Sequence, residues 1–176
     1  MNAKKWIASA LVAVAFMAMS LTQTKAAQNK KTREMINMDL QDVMKSSVFP
    51  VGGENTQYAK YFDGKSYLHT LSLEQIIIGN VTFEPGCRNH WHIHHAKKGG
   101  GQMLLVTAGR GWYQEWGKPA QELLPGDIVH IPAEVKHWHG AAKDSAFQHI
   151  AIEVPGEETK NEWCEPVDEA EYRKLK

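Results

Sequence analysis

The sequence has little of three things that often reveal a protein's class: cysteine, net charge and long apolar segments. Its two cysteines, Cys87 and Cys164, are too few for a disulfide-stapled fold, and a single bridge between them stays open. Twenty basic and twenty acidic residues balance to a formal charge of zero, and the basic residues are scattered. A chain without a basic patch lacks the electrostatic footprint of nucleic-acid binding, so we expect no nucleic-acid partner.

The one long apolar run lies at the start of the chain. Lys4 and Lys5 precede an uncharged stretch from Trp6 to Leu21, and Thr24-Lys25-Ala26 offers small residues suited to cleavage. The stretch is shorter and richer in alanine than the ~20 strongly apolar residues that a membrane span requires. We therefore predict that residues 1–26 are a signal peptide. The mature protein would then be exported, periplasmic or secreted, with no stable membrane span.

Beyond the predicted signal peptide, the sequence pattern is that of one domain built from short strands. Runs rich in Tyr, Ile, Val and Thr alternate with turn signals such as Pro85-Gly86 and Pro125-Gly126. This pattern is typical of an all-β sandwich or barrel. We predict a lead with a short helix over 27–57, a barrel over 58–155, and a tail with a short helix over 156–176.

Two apolar patterns make local predictions within these limits. Apolar residues at helical spacing predict a helix over 32–45, with Thr32 as its N-cap. The continuous run Ile76-Ile77-Ile78 predicts a strand that is covered on both faces. A second short helix is predicted over 167–175.

Histidine is the residue that is unusually concentrated. Seven of the nine histidines lie in two segments, 86–109 and 126–141. His92 and His94 are two positions apart, so on a strand both imidazoles leave the same face. His137 and His139 repeat that spacing on a second segment. Two such pairs can converge on one metal ion.

The first histidine segment resembles the first cupin motif, G-x5-H-x-H-x(3,4)-E-x6-G. Gly86, His92, His94 and Gly109 occupy its fixed positions. Gln102 stands where the motif has Glu, after the longer, glycine-rich insertion HAKKGGG. The insertion can loop out without moving Gln102, because the spacing from Gln102 to Gly109 is kept.

The second histidine segment resembles the second cupin motif, G-x5-P-x-G-x2-H-x3-N. Gly126, Pro132 and His137 match it, while Glu134 and Ala141 replace the Gly and Asn, which are turn positions. The resemblance implies an all-β fold, the double-stranded β-helix of the cupin jelly-roll barrel, with short flanking helices. It also implies a homodimer, since similar small cupins are commonly dimers.

A closer resemblance lies in the segments FEPGCRNHWHIH, LLVTAGRGWYQEWG and KHWHGAAKDSAFQHIAIE. They are similar to small bacterial cupins related to carboxymuconolactone decarboxylase-type proteins, and to the manganese-dependent cupin hydroxynitrile lyases. This resemblance implies manganese as the ion and a set of metal ligands: His92, His94, Gln102 and His137. It also implies that His139 and His149 line the pocket as proton-transfer groups.

The implied ligand set has a chemical consequence. Three imidazoles and an amide oxygen include no negative ligand, so a divalent ion would keep a charge of about +2. Such a site suits Lewis-acid chemistry on an anionic or polarisable oxygen. These donors fit Mn, Fe, Co, Ni, Cu or Zn, and ligand type alone does not choose among them.

We therefore expect a metal-dependent enzyme of lyase, decarboxylase or isomerase type. Its substrate would be a small oxygenated organic molecule, and His139 or His149 would move a proton. Two alternatives stay open. One is a non-catalytic cupin that binds a metal or small ligand, and the other is a metal-dependent dioxygenase, which would need an oxygen-activating ion such as iron.

Other residues near the motifs receive simpler predictions. His95 has the opposite parity to His94, so it should face outward or toward an interface. His90 falls near the Pro85-Gly86 turn, where strand alternation need not hold, and should lie at the pocket rim or on the surface. Arg88 is a candidate clamp for an anion close to the ligand strand.

Overall fold

The computed structural model describes residues 37–176, so the predicted signal peptide and Thr32 lie outside the described residues. Strands dominate this part of the chain: β1 Gly53–Glu54, β2 Phe62–Asp63, β3 Ser66–Ser72, β4 Ile78–Phe83, β5 Arg88–Asn89, β6 His92–His95, β7 Lys98–Gly99, β8 Gly101–Gly109, β9 Gly111–Glu115, β10 Gln121–Leu123, β11 Ile128–Pro132, β12 His137–Ala141, β13 Phe147–Glu153, β14 Gly156–Glu157 and β15 Lys160–Trp163. Two α-helices, Leu40–Ser46 and Glu169–Lys174, and a 3-10 helix, Thr56–Tyr61, flank them. Among these described helices, none has the length and apolar character needed to cross a membrane.

Two antiparallel sheets form the barrel. Six strands make up the first sheet, in the order β1-β3-β4-β13-β8-β11. The second has seven strands: β10-β9-β12-β5-β2 form one path, and β6 pairs with both β12 and β15. The predicted all-β double-stranded β-helix, a jelly-roll barrel with short flanking helices, is confirmed.

The main core lies between the two sheets, because strand alternation turns one face of each sheet inward. Phe83 and Phe147 meet Leu104 and Val106 there, and all four are almost fully buried. Burying each such side chain contributes roughly 1.5–3 kcal/mol. The packed cluster therefore fixes the position of the sheets on which the histidines stand.

The outer face of the seven-stranded sheet carries a second apolar cluster. Trp138 lies on β12 between His137 and His139, so it points away from them and packs with Trp91, Trp112 and Tyr172. The Tyr172 hydroxyl, at the C-terminal helix, donates a hydrogen bond to the carbonyl oxygen of Ala141 on β12 (2.8 Å). The helix therefore braces the histidine-bearing strand from behind.

Arg88 contacts the C-terminal helix and is not part of the histidine site. Its Nη2 lies 2.6 Å from Oε2 of Glu169 and 3.2 Å from Oδ2 of Asp63. Its guanidinium also lies over the Tyr172 ring, 4.2 Å from the centroid. The hypothesis that Arg88 clamps an anion is therefore wrong, because its charge is already paired with two carboxylates.

Two local predictions differ from the structure. Within the described residues the first helix begins at Leu40, because the Asp39 carboxylate accepts a hydrogen bond from the Asp42 amide (2.8 Å) and caps it there. Ile76 and Ile77 are 37% and 52% exposed, since they lie in the turn before β4. The prediction of a strand covered on both faces is therefore wrong for these two residues.

The segment after residue 155 contains strands besides its helix. β15 pairs with β6 along its length, so it forms the other neighbour of the strand that carries His92 and His94. β14 pairs with β7, which lies in the HAKKGGG insertion. The insertion turns back through Gly100 and Gly101, whose φ angles of +73° and +96° favour glycine.

Candidate metal centre

Three imidazoles meet on the inner face of the seven-stranded sheet. His92 and His94 are buried on β6 while Ile93 between them faces the other way. His137 lies directly opposite His92 in the β12–β6 register. The ligand nitrogens of the three histidines lie within 4.8 Å of one another, and the three residues are at most 4% exposed.

Backbone carbonyls set the orientation of two of these rings. Nδ1 of His92 lies 3.0 Å from the carbonyl oxygen of His90, and Nδ1 of His137 lies 2.9 Å from that of Val135. A carbonyl only accepts, so each Nδ1 carries the proton and each Nε2 keeps a free lone pair. Nε2 of His137 is buried without a hydrogen-bond partner. This is the arrangement that metal-binding histidines use.

Burial keeps these imidazoles neutral. Loss of solvation, followed by repulsion from His137 and His94, holds the pKa of His92 well below its ordinary value. Burial also lowers the pKa of His137 to about 4. At neutral pH both rings are therefore in the deprotonated form that binds a metal ion.

Gln102 reaches the same site from the other sheet. On the strand pair β8–β13, Gln102 and Glu153 are directly opposite each other. The amide Nε2 of Gln102 donates a hydrogen bond to Oε1 of Glu153 (2.8 Å), and Oε1 of Gln102 is buried without a partner. Oε2 of Glu153 lies 3.0 Å from Nδ1 of His94. Burial acts to raise the pKa of Glu153, but its bonds to His94 and Gln102 lower that pKa overall.

The unpartnered atoms of the site fit a metal ion. Nε2 of His94, Nε2 of His137 and Oε1 of Gln102 are all buried and form no hydrogen bond within the described chain. A buried polar atom without a partner costs about 1–3 kcal/mol. A shared divalent transition metal would satisfy all three at once, and imidazole and amide donors suit such an ion. The three-histidine cluster is therefore consistent with a metal centre.

His139 and His149 form a hydrogen-bonded pair beside the triad. Nε2 of His149 lies 3.2 Å from Nδ1 of His139. Asn89 holds His139 on its other side: its Oδ1 accepts from the His139 backbone amide (2.9 Å), and its Nδ2 lies 3.0 Å from the ring Nε2. Since Nδ2 can only donate, Nε2 of His139 is the acceptor and its Nδ1 carries the proton.

Both rings of this pair are uncharged. Burial, with repulsion from His149 and the triad, holds the pKa of His139 well below its ordinary value. Burial lowers the pKa of His149 to about 4. Neutral imidazoles at this position can accept a proton from a bound molecule.

All of these groups except His137 line one cavity of about 720 Å³. The remaining walls are largely apolar, with Phe62, Val81 and Ala151 beside the histidines. Trp163 closes one side, with its ring centroid 4.8 Å from that of His92 and 4.6 Å from that of Tyr61. The cavity thus offers a polar corner next to an aromatic and aliphatic wall.

The structure brings together all six residues that the sequence singled out: His92, His94, Gln102, His137, His139 and His149. His95 faces away from the triad, between Oε2 of Glu134 (2.6 Å) and Oε2 of Glu162 (2.8 Å). His90 lies off the strands, with Nε2 3.7 Å from Asp63.

Three residues of the site escaped the sequence analysis: Asn89, Glu153 and Trp163. Glu153 has the same strand parity as His149 and Ala151, and this signal could have revealed it. Asn89 precedes a break in the strand at residues 90–91, where parity fails as a guide. Trp163 lies in the segment predicted to be a tail, and nothing in its local sequence places it beside His92.

Comparisons with known proteins agree with this architecture. The family profile of the cupin domain matches residues 79–153. The (R)-mandelonitrile lyase of Granulicella tundricola is 44% identical over 95 residues, which cover 54% of this chain and 70% of that protein. A cupin-like protein of Thermotoga maritima superimposes with a TM-score of 0.64 at 39% identity, covering 73% of this chain and 96% of that one.

A more distant neighbour shares the fold alone. It is a sugar phosphate isomerase of the cupin superfamily from Silicibacter pomeroyi, with a TM-score of 0.51 at 20% identity over 67% of this chain and 73% of its own. The two nearer relatives extend the likeness to sequence over most of their length. This chain therefore belongs to the cupin domain family.

Proposed function

We propose that this protein is a metal-dependent lyase that cleaves a small 2-hydroxynitrile into a carbonyl compound and hydrogen cyanide. One observation carries the proposal: His92, His94 and the His139–His149 pair line the same cavity, and the ligand nitrogen of His137 lies within 4.8 Å of those of His92 and His94. The similarity to an (R)-mandelonitrile lyase supports this choice among the lyase, decarboxylase and isomerase reactions that such a site suits.

The residues that would hold the ion are His92, His94, His137 and Gln102. They present imidazole nitrogens and an amide oxygen, and manganese is the ion we propose. A divalent ion in this place supplies Lewis-acid chemistry, which lowers the pKa of a hydroxyl group and stabilises negative charge on oxygen. The protein's part is to orient these donors, to shield them from water and to keep His92 and His137 deprotonated.

Proton transfer falls to His139 on β12 and His149 on β13, which belong to different sheets. In its assigned tautomer, His139 has its lone pair on Nε2, where it accepts from Nδ2 of Asn89 (3.0 Å). The substrate hydroxyl would replace Asn89 as the donor to this atom, and Nε2 then accepts the hydroxyl proton. The electron pair of the O–H bond then forms the carbonyl, the bond to the nitrile carbon breaks, and cyanide leaves with that bond's electrons. Cyanide takes the proton back from Nε2 and departs as hydrogen cyanide. His149 stabilises the transient imidazolium by accepting from Nδ1 (3.2 Å).

The apolar wall of the cavity indicates which substituent the hydroxyl-bearing carbon of the substrate carries. Phe62, Val81, Ala151 and Trp163 face the space beside the polar corner and offer no charged partner. An aromatic or branched aliphatic substituent on the hydroxyl-bearing carbon would bury its apolar surface there. A charged substituent placed against these four side chains would lose its solvation without compensation.

The test combines metal analysis with turnover. Protein produced without a polyhistidine tag is analysed for bound metal, and cleavage of (R)- and (S)-mandelonitrile is followed by the appearance of benzaldehyde. We expect about one transition-metal ion per chain, and cleavage that stops on chelation and returns with manganese. His139→Ala should retain the metal and lose about 100- to 10,000-fold in rate, the range of general acid–base catalysis. The exposed variant His130→Gln serves as the control.

Three results would count against the proposal. A metal-loaded protein that cleaves no hydroxynitrile would leave a binding cupin in place of an enzyme. Oxygen consumption by an iron-loaded form would favour a dioxygenase. Unchanged turnover in His139→Ala would contradict proton transfer by His139 and His149.

We also propose that the mature chain is an exported homodimer. The composition of residues 1–26 supports export. Exposed apolar side chains support self-association, since Leu73, Ile77 and Val48 are 74%, 52% and 89% exposed. Mass spectrometry of secreted protein and light scattering of the purified chain test these two points, and a monomer that retains its first 26 residues would contradict both.

A further inference from the structure

The contact between Gln102 and Glu153 has a chemical meaning beyond packing. A carboxylate has no proton to give at neutral pH, so it can only accept. The Gln102 amide must therefore turn its Nε2 toward Glu153, as it does at 2.8 Å. Its oxygen is then turned away from Glu153, and it is buried and without a partner.

The same carboxylate also contacts His94. Its second oxygen, Oε2, lies 3.0 Å from Nδ1 of that ring, an ion-pair contact without hydrogen-bond alignment, and Nε2 of His94 has no hydrogen-bond partner. Among the described residues no lysine or arginine pairs with Glu153, so its charge is directed at these two groups. One side chain thus contacts two of the four candidate ligands, one from each sheet.

We propose that Glu153 is a positioning residue that holds the Gln102 oxygen and the His94 Nε2 toward the metal centre. It also places next to the ligand shell the negative charge that Gln102, as a neutral amide, does not bring. This inference depends on the metal centre assigned above, but not on the reaction carried out there. Such outer partners of metal ligands typically change affinity by about 10- to 100-fold when removed.

The hydrogen bond between Gln102 and Glu153 predicts how substitutions of these two residues affect each other. Glu153→Gln offers Gln102 an amide that both donates and accepts, so the Gln102 oxygen is no longer held toward the site. Gln102→Glu brings two carboxylates into the 2.8 Å contact, where like charges repel. Adding Glu153→Gln to Gln102→Glu exchanges amide and carboxylate, and the hydrogen bond forms again with its direction reversed.

The experiment is a double-mutant cycle on metal binding. The affinity of metal-free protein for Mn²⁺ and Co²⁺ is measured by calorimetry, and the Co²⁺ absorption spectrum reports the ligand geometry. The proteins are the unmodified chain, Glu153→Gln, Gln102→Glu and the double variant, with the exposed Glu157→Gln as a control for the loss of one charge. Melting of each metal-free protein shows that the fold is intact.

We expect Glu153→Gln to weaken metal binding by about 10- to 100-fold in the unmodified background. In the Gln102→Glu background the same change should be neutral or favourable, since it relieves a repulsion. Glu157→Gln should bind as tightly as the unmodified chain.

Equal effects of Glu153→Gln in both backgrounds, or none in either, would overturn the positioning role while leaving the metal centre in place. An unmodified chain that binds neither ion would instead overturn the metal centre itself, and with it both proposals. The binding data for the unmodified chain therefore separate failure of the proposed function from failure of this inference.

Discussion

The metal-free protein should lose stability steeply as the pH falls from 7.5 to 5, because its folded state buries neutral imidazoles. The pKa of His137 and of His149 is lowered to about 4 in the folded chain, against about 6.5 for an exposed histidine. Between these two values the unfolded chain binds more protons than the folded one. Stability therefore falls as protons are added through this window.

The size of the effect follows from the two pKa values. A group that moves from about 6.5 to about 4 on folding contributes roughly 2 kcal/mol less stability at pH 5 than at pH 7.5. Two such groups together give roughly 4 kcal/mol, a large share of the ~5–15 kcal/mol that holds a typical domain together. For a chain of this size the melting temperature should fall by about 8–16 °C.

The assay is thermal and urea unfolding of chelator-treated protein at pH 7.5, 6.5, 5.5 and 5. His149→Gln should remove only the share of that one group, roughly 2 kcal/mol of the dependence, whereas the exposed variant His130→Gln should leave it unchanged. Metal-loaded protein should resist acid until protons displace the ion, since the ligands bind metal only when deprotonated. A stability that stays flat across this range in the metal-free protein would refute the claim that these imidazoles are buried and neutral.

Three further predictions concern metal, tautomer and backbone. Mn²⁺ at about 100 times its dissociation constant should raise the free energy of unfolding by about 2.7 kcal/mol, and this response in a melting assay should vanish in His92→Ala. Asn89→Ala should lower kcat up to about 100-fold with bound metal unchanged, because His139 loses the partner that fixes its tautomer; equal kcat would contradict that role. Gly101→Ala should destabilise the folded state. The loss should exceed the ~1–2 kcal/mol that the left-handed conformation costs a residue with a Cβ, since the new Cβ would lie 2.2 Å from the Ile131 carbonyl oxygen. Gly117→Ala, with a similar φ but open space, is the matched control in urea unfolding.

The sequence predicted which histidines lie together, because their spacing is local. His92 and His94 lie on one strand, and a period of two places both on one face regardless of what lies beside them. The same holds for His137 and His139. The motif offsets then supplied Gln102 and the fold, since fixed distances between turns and ligands describe a particular path of the chain.

What the sequence did not predict depends on register between distant strands. Glu153 meets Gln102 only because β13 and β8 pair with those two residues opposite each other, 51 positions apart along the chain. Trp163 reaches His92 through the pairing of β15 with β6. The prediction that Ile76 and Ile77 are covered on both faces was wrong for a related reason. An apolar run specifies burial only once the neighbouring strands are known.

The candidate ligands are divided between the sheets: His92, His94 and His137 belong to the seven-stranded sheet, and Gln102 to the six-stranded one. An ion bound by all four would be a cross-link between two layers that are otherwise joined by apolar packing, short connections and polar contacts such as His139–His149. Both cysteines are free in the structure, so the described chain has no covalent bond in this role. The metal would restrict how far the layers separate, as a disulfide does elsewhere. Loading the ion would thus govern the mechanical integrity of the barrel as well as its chemistry.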